Sequence, residues 1–88
     1  MFFARPPINL EMKVQVNILA DLRQYAPGGK GNFALDLASG ATVETLIKTL
    51  EIPQAVKMII LINGRRADNG TPLADTDEIT VFPPIEGG

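Results

Sequence analysis

Residues Ala41–Leu50 read ATVETLIKTL, the stretch of this 88-residue chain that is written with a helical period. Val43, Leu46, Ile47 and Leu50 fall at i, i+3, i+4 and i+7, which puts one apolar stripe on one face of a helix. Thr42 stands just before them, and its hydroxyl can accept a bond from a free backbone N–H of the first turn, as an N-cap does. Pro53 helps to end the helix. A stripe of this kind faces a core. To either side of it the period drops to two. Lys13–Leu19, KVQVNIL, sends Val14, Val16 and Ile18 to one face and Gln15 and Asn17 to the other, as a strand does. Asn32–Leu37 repeats the pattern with Phe33, Leu35 and Leu37. Between these two strands lie a short helical turn at Asp21–Tyr25 and a turn signal at Pro27-Gly28-Gly29, so they are expected to form a hairpin. After the helix, Lys57–Ile62 is a continuous apolar run rich in β-branched residues, read as a central strand. Asn63-Gly64 then signals a hairpin, Arg65–Asp68 a brief return strand, and Glu78–Phe82 a last alternating strand.

The order is strand, strand, helix, strand, short strand, strand. One main helix must then cover one face of a mixed sheet of four to five strands, an α+β layer architecture. Its first and last strands are expected to pair in parallel across the middle. This is the order of the β-grasp, or ubiquitin-like, roll. The domain is expected to span residues 13–82. Residues 1–12 form an N-terminal arm that Pro6-Pro7 keep extended, although Met12 is an alternative start for the compact unit. Residues 83–88 form a C-terminal tail.

Composition removes several chemistries. The chain has no cysteine and no histidine, so disulfides, structural zinc sites, thiol nucleophiles and histidine catalysis all fall away. A net charge of −2 makes nucleic acid a poor partner, and Arg65-Arg66 reads as a solvated turn flank. Met58–Ile62 is far too short to cross a bilayer, and the N-terminus lacks the apolar run of a signal peptide. These features point to a cytoplasmic protein that binds no membrane. Asp75, Asp77 and Glu78 lack the glycine and distal glutamate of a calcium loop and read as a solvated turn. Gly28–Gly31, GGKG, lacks the spacing of a phosphate-binding loop.

One helix covers only one face of the sheet. Val14, Val16, Ile18, Ile79 and Val81 belong under it, with Ile60 and Ile62. By alternation Thr80, Phe82, Ile59 and Leu61 point away, as does Leu19 if strand pairing persists that far. Leu19, Leu61 and Phe82 would then form an apolar patch beside the tail, and such patches mark partner sites. Two readings stand beside this one: loops cover the patch, or the phase is shifted by one residue, which would reverse the whole set.

The chain closes on Val81–Gly88, VFPPIEGG. Two prolines end the strand because they donate nothing to a sheet. Two glycines then allow a close backbone approach. Such an end suits a C-terminal carboxylate that must be threaded into a buried site and activated by adenylation, with Pro83-Pro84 stiffening the stem.

Taken together, MKVQVNILADLRQYA (12–26), ATVETLIKTL (41–50), LING (61–64) and PLADTDEITVFPPIEGG (72–88) resemble the MoaD/ThiS family of ubiquitin-like sulfur carriers. FPPIEGG is similar to the ending of the small subunit of molybdopterin synthase. The resemblance implies that an E1-like enzyme, using ATP, adenylates Gly88 and that a sulfur donor protein converts it to a thiocarboxylate. The tail would enter a large synthase subunit that passes the sulfur to a pterin precursor, for molybdenum or tungsten cofactor. By the same resemblance Gly88 is the carrier, Gly87 the threading residue and Phe82 part of the partner interface; with the outward-facing Leu61 and Leu19 and with Pro83, Pro84 and Ile85 of the tail, Phe82 makes up the expected partner-binding set. No tightly bound cofactor is implied, and the partners supply the catalysis. A carrier for thiazole or another sulfur product, a ubiquitin-like modifier joined to lysines through Gly88, and a plain β-grasp binding module are the other readings. The sequence departs from the family at Thr76-Asp77, where Gly-Asp is common, so the turn before the last strand is expected to be built differently.

Overall fold

A computed structural model describes residues 12–84. The elements are β1 (Met12–Ile18), β2 (Asn32–Leu37), α1 (Val43–Thr49), β3 (Ile59–Ile62), β4 (Arg65–Ala67) and β5 (Glu78–Phe82). Two short 3₁₀ turns, Ala20–Tyr25 and Pro27–Gly29, connect β1 to β2. The five strands form one sheet in the order β2-β1-β5-β3-β4. Its centre is the parallel pair of first and last strands, with Val16 beside Ile79 and Ile18 beside Val81. Every other pairing is antiparallel.

Several strands differ from the sequence reading in extent or in place. β1 takes in Met12, which pairs with Leu37 and is buried. The apolar run 57–62 is a strand only from Ile59, and it lies one place from the sheet edge. The central place goes to β5, because the parallel β1–β5 pair occupies the middle. Residues 1–11, and with them nearly all of the arm, lie outside the described residues.

The helix is short, seven residues, and its ends are built from side chain and backbone together. The Thr42 hydroxyl accepts the Thr45 N–H, and the Thr45 hydroxyl accepts the Thr42 N–H in return. At the other end Leu50 caps the helix, Glu51 turns left-handed at φ 58°, and Ile52 donates its N–H to the Ile47 carbonyl at 3.1 Å. This is a Schellman stop, usually made by glycine, and it ends the helix before Pro53 is reached. Ile52 is buried just beyond it, which anchors the exit. So short a helix is marginal in water, and packing must hold it. Val43 and Leu46 are fully buried against Val14, Val16, Ile18, Ile79 and Val81, all at most 1% exposed.

Two turns fix the lower end of the sheet. Asn63 and Gly64 both have positive φ, at 52° and 85°, as the two-residue β3–β4 hairpin demands. The turn before β5, where Thr76-Asp77 stands, is made without glycine. Thr76 keeps a left-handed backbone at φ 68°, so a glycine-type turn is built with threonine. Hydrogen bonds hold it there. Thr76 donates its N–H to the Lys13 carbonyl at 2.9 Å, and Lys13 donates its N–H to Asp75 Oδ1 at 2.8 Å. Asp77 accepts the Ala74 N–H at 2.8 Å and the Asn63 side-chain amide at 2.9 Å. Asn63 Oδ1 accepts the Glu78 N–H at 2.9 Å. Asp75 and Asp77, read as merely solvated, are therefore acceptors that tie the turn to β1 and to the β3–β4 hairpin.

Candidate functional site: the open sheet face and the root of the tail

The strand phase is the one alternation gives. Ile60 and Val81 lie in the core, while Ile59, Leu61 and Phe82 stand outside the buried cluster, each half-exposed. Pairing does persist to Leu19, which donates its N–H to the Val81 carbonyl at 2.9 Å. Ala20 follows at φ 57° and turns the chain away. Leu19 is thereby left 47% exposed, the large apolar side chain most open to solvent among the described residues.

Register sorts this face into rows. Phe82 pairs with Ile59, and extending the Ile18–Val81 pair by one residue sets Leu19 on the other side of Phe82. Leu19, Phe82 and Ile59 thus form an apolar row across β1, β5 and β3. One step down, Asn17, Thr80, Leu61 and Arg66 lie side by side. Another step down come Gln15 and Glu78. Polarity therefore rises from the end of β5 toward its start.

The polar flank is internally satisfied. The Gln15 amide donates to Asn32 Oδ1, the Asn32 amide to Asn17 Oδ1, and the Asn17 amide to Glu78 Oε2 at 3.4 Å. With these groups paired on one side and Arg66 on the other, the apolar row and Leu61 form a patch with a polar rim. An apolar centre inside a polar border is the anatomy of a protein–protein interface.

The tail starts at this patch. Phe82 is the last residue of β5, and Pro83 and Pro84 follow it half-buried. Neither proline has an N–H to extend the ladder, so the chain must leave the sheet beside Phe82 and Ile59. The structure thus brings together Leu19, Leu61, Phe82, Pro83 and Pro84 from the expected set. Ile85, Gly87 and Gly88 lie outside the described residues. Ile59 belongs to the patch as well. Alternation turned it outward, but only the register with Phe82 reveals that it completes the apolar row. Among the described residues, no helix is long and apolar enough to cross a membrane.

The comparisons agree with this geometry. A model of the ThiS family matches residues 16–88. No curated protein matches. Among solved structures, a putative molybdopterin converting factor, subunit 1, from Pyrococcus furiosus is 29% identical with a TM-score of 0.74, over 85% of this chain and 100% of that one. SAMP1 from Haloferax volcanii is 27% identical with a TM-score of 0.71, over 86% of this chain and 99% of that one. A complex of subunits 1 and 2 of the molybdopterin-converting factor from Helicobacter pylori contains a chain 25% identical with a TM-score of 0.59, over 88% of this chain and 100% of that one.

Proposed function

The chain belongs to the ThiS family, and from that premise we propose that it is a sulfur carrier whose C-terminal Gly88 is adenylated and converted to a thiocarboxylate. The observation that carries this reading is the placement of the tail. The family match runs through Gly88, and the last strand delivers that tail from the edge of an apolar patch.

The chemistry follows from what the chain lacks. Without cysteine there is no side-chain thiol to hold transferable sulfur. The terminal carboxyl carbon is the remaining place for it. A carboxylate is a poor electrophile. Attack of its oxygen on the α-phosphorus of ATP, with loss of pyrophosphate, makes an acyl adenylate. A sulfide-level nucleophile from a donor protein then attacks the acyl carbon, AMP leaves, and the thiocarboxylate remains. ATP is bound and spent by an E1-like partner, so no cofactor need reside on this chain. The patch of Leu19, Ile59, Leu61 and Phe82 docks the partner, Pro83-Pro84 direct the tail, and Gly87-Gly88 enter its active site, where a Cβ would obstruct close approach.

Within this class the product is the molybdopterin of molybdenum or tungsten cofactor. The likeness to the Pyrococcus furiosus protein supports that assignment, and the Helicobacter pylori complex supports a larger second subunit as the acceptor. A thiazole product would use the same tail with a different acceptor. The likeness to SAMP1 favours a second reading, a ubiquitin-like modifier in which a lysine amine attacks the same adenylate or an ester made from it.

Intact-mass measurement after incubation with an E1-like enzyme, ATP and a sulfur donor tests the proposal. The expected gain is one sulfur in exchange for one oxygen, absent from a chain lacking Gly87-Gly88 that remains folded. Lysine-linked adducts that disappear with Gly88, without any thiocarboxylate, would establish the modifier reading instead. An unchanged mass beside an active cognate enzyme would overturn both.

A further inference from the structure

The sheet has two outer strands, and they are finished differently. β4 is three residues long and carries Arg65 and Arg66, so it is short and charged, as edges that resist pairing are. β2 has six residues, Asn32–Leu37, with no proline, and its register against β1 runs from Leu37 to Asn32 without a bulge. Its one charged side chain is Asp36. Among the described residues no strand pairs with its outer side.

The hydrogen bonds of β1 show what that outer side presents. Ile18 donates its N–H to the Gly31 carbonyl at 2.7 Å. Bonded and non-bonded positions alternate along an antiparallel pair. Phe33, Leu35 and Leu37 therefore turn their backbone groups to β1, while Asn32, Ala34 and Asp36 turn theirs outward. The far side of β1 agrees, since Gln15 and Leu19, one step out of phase with Ile18, donate to the Asp77 and Val81 carbonyls at 2.9 Å. An outward N–H and C=O at every second residue, over roughly 20 Å, is a template for another strand.

A second copy of the chain fits that template. Let two β2 strands run antiparallel about a two-fold axis at Phe33. Asn32 then faces Ala34 of the second copy, and both have outward backbone groups to exchange. Lys30 faces Asp36 of the second copy. Lys30 is exposed and its backbone is extended, at φ −80° and ψ 128°. Its N–H is already bonded to the Pro27 carbonyl at 3.3 Å, so it brings charge rather than a full ladder pair. Asp36 has Lys13 at 4.0 Å on the β1 side, which leaves its other side to the second copy. Phe33, half-buried, meets its own copy at a non-bonded position, where side chains approach closest. An axis at Ala34 would instead set Asp36 beside Asn32, whose amide is already bonded to Asn17, and would leave both Lys30 side chains without a carboxylate.

We propose that β2 is a self-association edge, along which two copies of this chain join antiparallel about an axis at Phe33, with Lys30 of each beside Asp36 of the other. The pair merges two five-stranded sheets into one and keeps both helices on the same side. An edge of six residues is small beside the roughly 1,200–2,000 Å² of a stable complex, so the pair is weak and forms with concentration. Phe82, Ile59 and the root of the tail lie on β5 and β3, away from this edge. The inference goes beyond the sulfur-carrier proposal and does not depend on it.

Sedimentation of the full-length chain from about 10 µM to 1 mM tests the idea, because a dimer forms by mass action. A monomer–dimer equilibrium is expected. Lys30→Glu sets like charges together twice across the axis and should raise the dissociation constant about tenfold. Adding Asp36→Lys exchanges the charges and should return it to within about threefold of the parent. Ala34→Pro removes an N–H that β1 does not use, and should abolish the dimer while urea unfolding shows the monomer still folded. A chain that stays monomeric throughout the range would overturn the proposal. So would a dimer indifferent to both Lys30→Glu and Ala34→Pro, or one that Phe82→Ala dissolves, which would assign association to the apolar patch. A dimer lost with Ala34→Pro but unmoved by Lys30→Glu would overturn the axis at Phe33. No ATP or partner enters these measurements, so their outcome is separate from that of the mass test on Gly88.

Discussion

Replacing Thr76 with glycine is expected to stabilise this protein. Thr76 sits at φ 68°, in the left-handed region. An L-residue there costs roughly 1–2 kcal/mol, and a residue branched at Cβ is a true outlier, which argues for the upper part of that range. Its side chain is exposed, so its loss removes no buried contact. Its N–H donates to the Lys13 carbonyl at 2.9 Å, and glycine keeps that bond. Against the gain stands the extra freedom glycine gives the unfolded chain, roughly 0.5–1 kcal/mol. The net effect is about 1 kcal/mol in favour of the folded state. For a domain of this size that corresponds to a rise in Tm of about 4–8 °C. Urea unfolding followed by circular dichroism should show a higher midpoint at an unchanged slope. Thr76→Ala is the control, since it removes the same exposed side chain but keeps the strained backbone, and it should recover much less. A Thr76→Gly midpoint equal to or below that of the parent would refute the claim that the backbone at this turn is strained. Activation of Gly88 should be unaffected, since Thr76 adjoins the start of β5 and the tail leaves from its end.

Glu51→Gly applies the same reasoning to the helix stop, where φ is 58°, and should add up to about 1 kcal/mol of stability in the same assay. Phe82→Ala should weaken binding to an E1-like or large-subunit partner by about 2 kcal/mol or more if Phe82 is an anchor of the patch. Calorimetric titration measures this, and a partner affinity that does not change would remove Phe82 from the interface. The same substitution should cost less stability than the roughly 3–5 kcal/mol of a core phenylalanine, because its side chain is only half-buried. Asp77→Ala removes the acceptor of the Ala74 N–H and the Asn63 amide, both exposed and able to turn to water, and should cost about 1 kcal/mol in equilibrium unfolding.

Much of the site could be read before any coordinates. Period two across Lys13–Leu19 and Glu78–Phe82 assigned the inner and outer faces, and the structure keeps that assignment residue for residue through Val81 and Phe82. It works because the helix buries one face so completely that a slip of one residue would send Val16 and Ile79 into water. The patch was legible for the same reason, since an apolar residue that alternation turns outward has to be covered by something else. At the turn before β5 the sequence showed only a departure, Thr76-Asp77, and not the left-handed backbone that Thr76 adopts. Asp75 and Asp77, on either side of it, accept bonds from Lys13 and Asn63, residues distant in sequence, and these tie the turn in place.

The sequence by itself determined where the strands and the helix lie to within a residue or two, which faces are apolar, and the order of two prolines and then two glycines after the last strand. These are local matters, settled by periodicity and by the φ limits of proline and glycine. The tertiary structure alone decided the lateral order β2-β1-β5-β3-β4 and the row that joins Leu19, Phe82 and Ile59. Those depend on which strand edges meet and in what register. Contacts between residues some 60 positions apart set that register, through the burial of one shared core, and no short stretch of the chain encodes it.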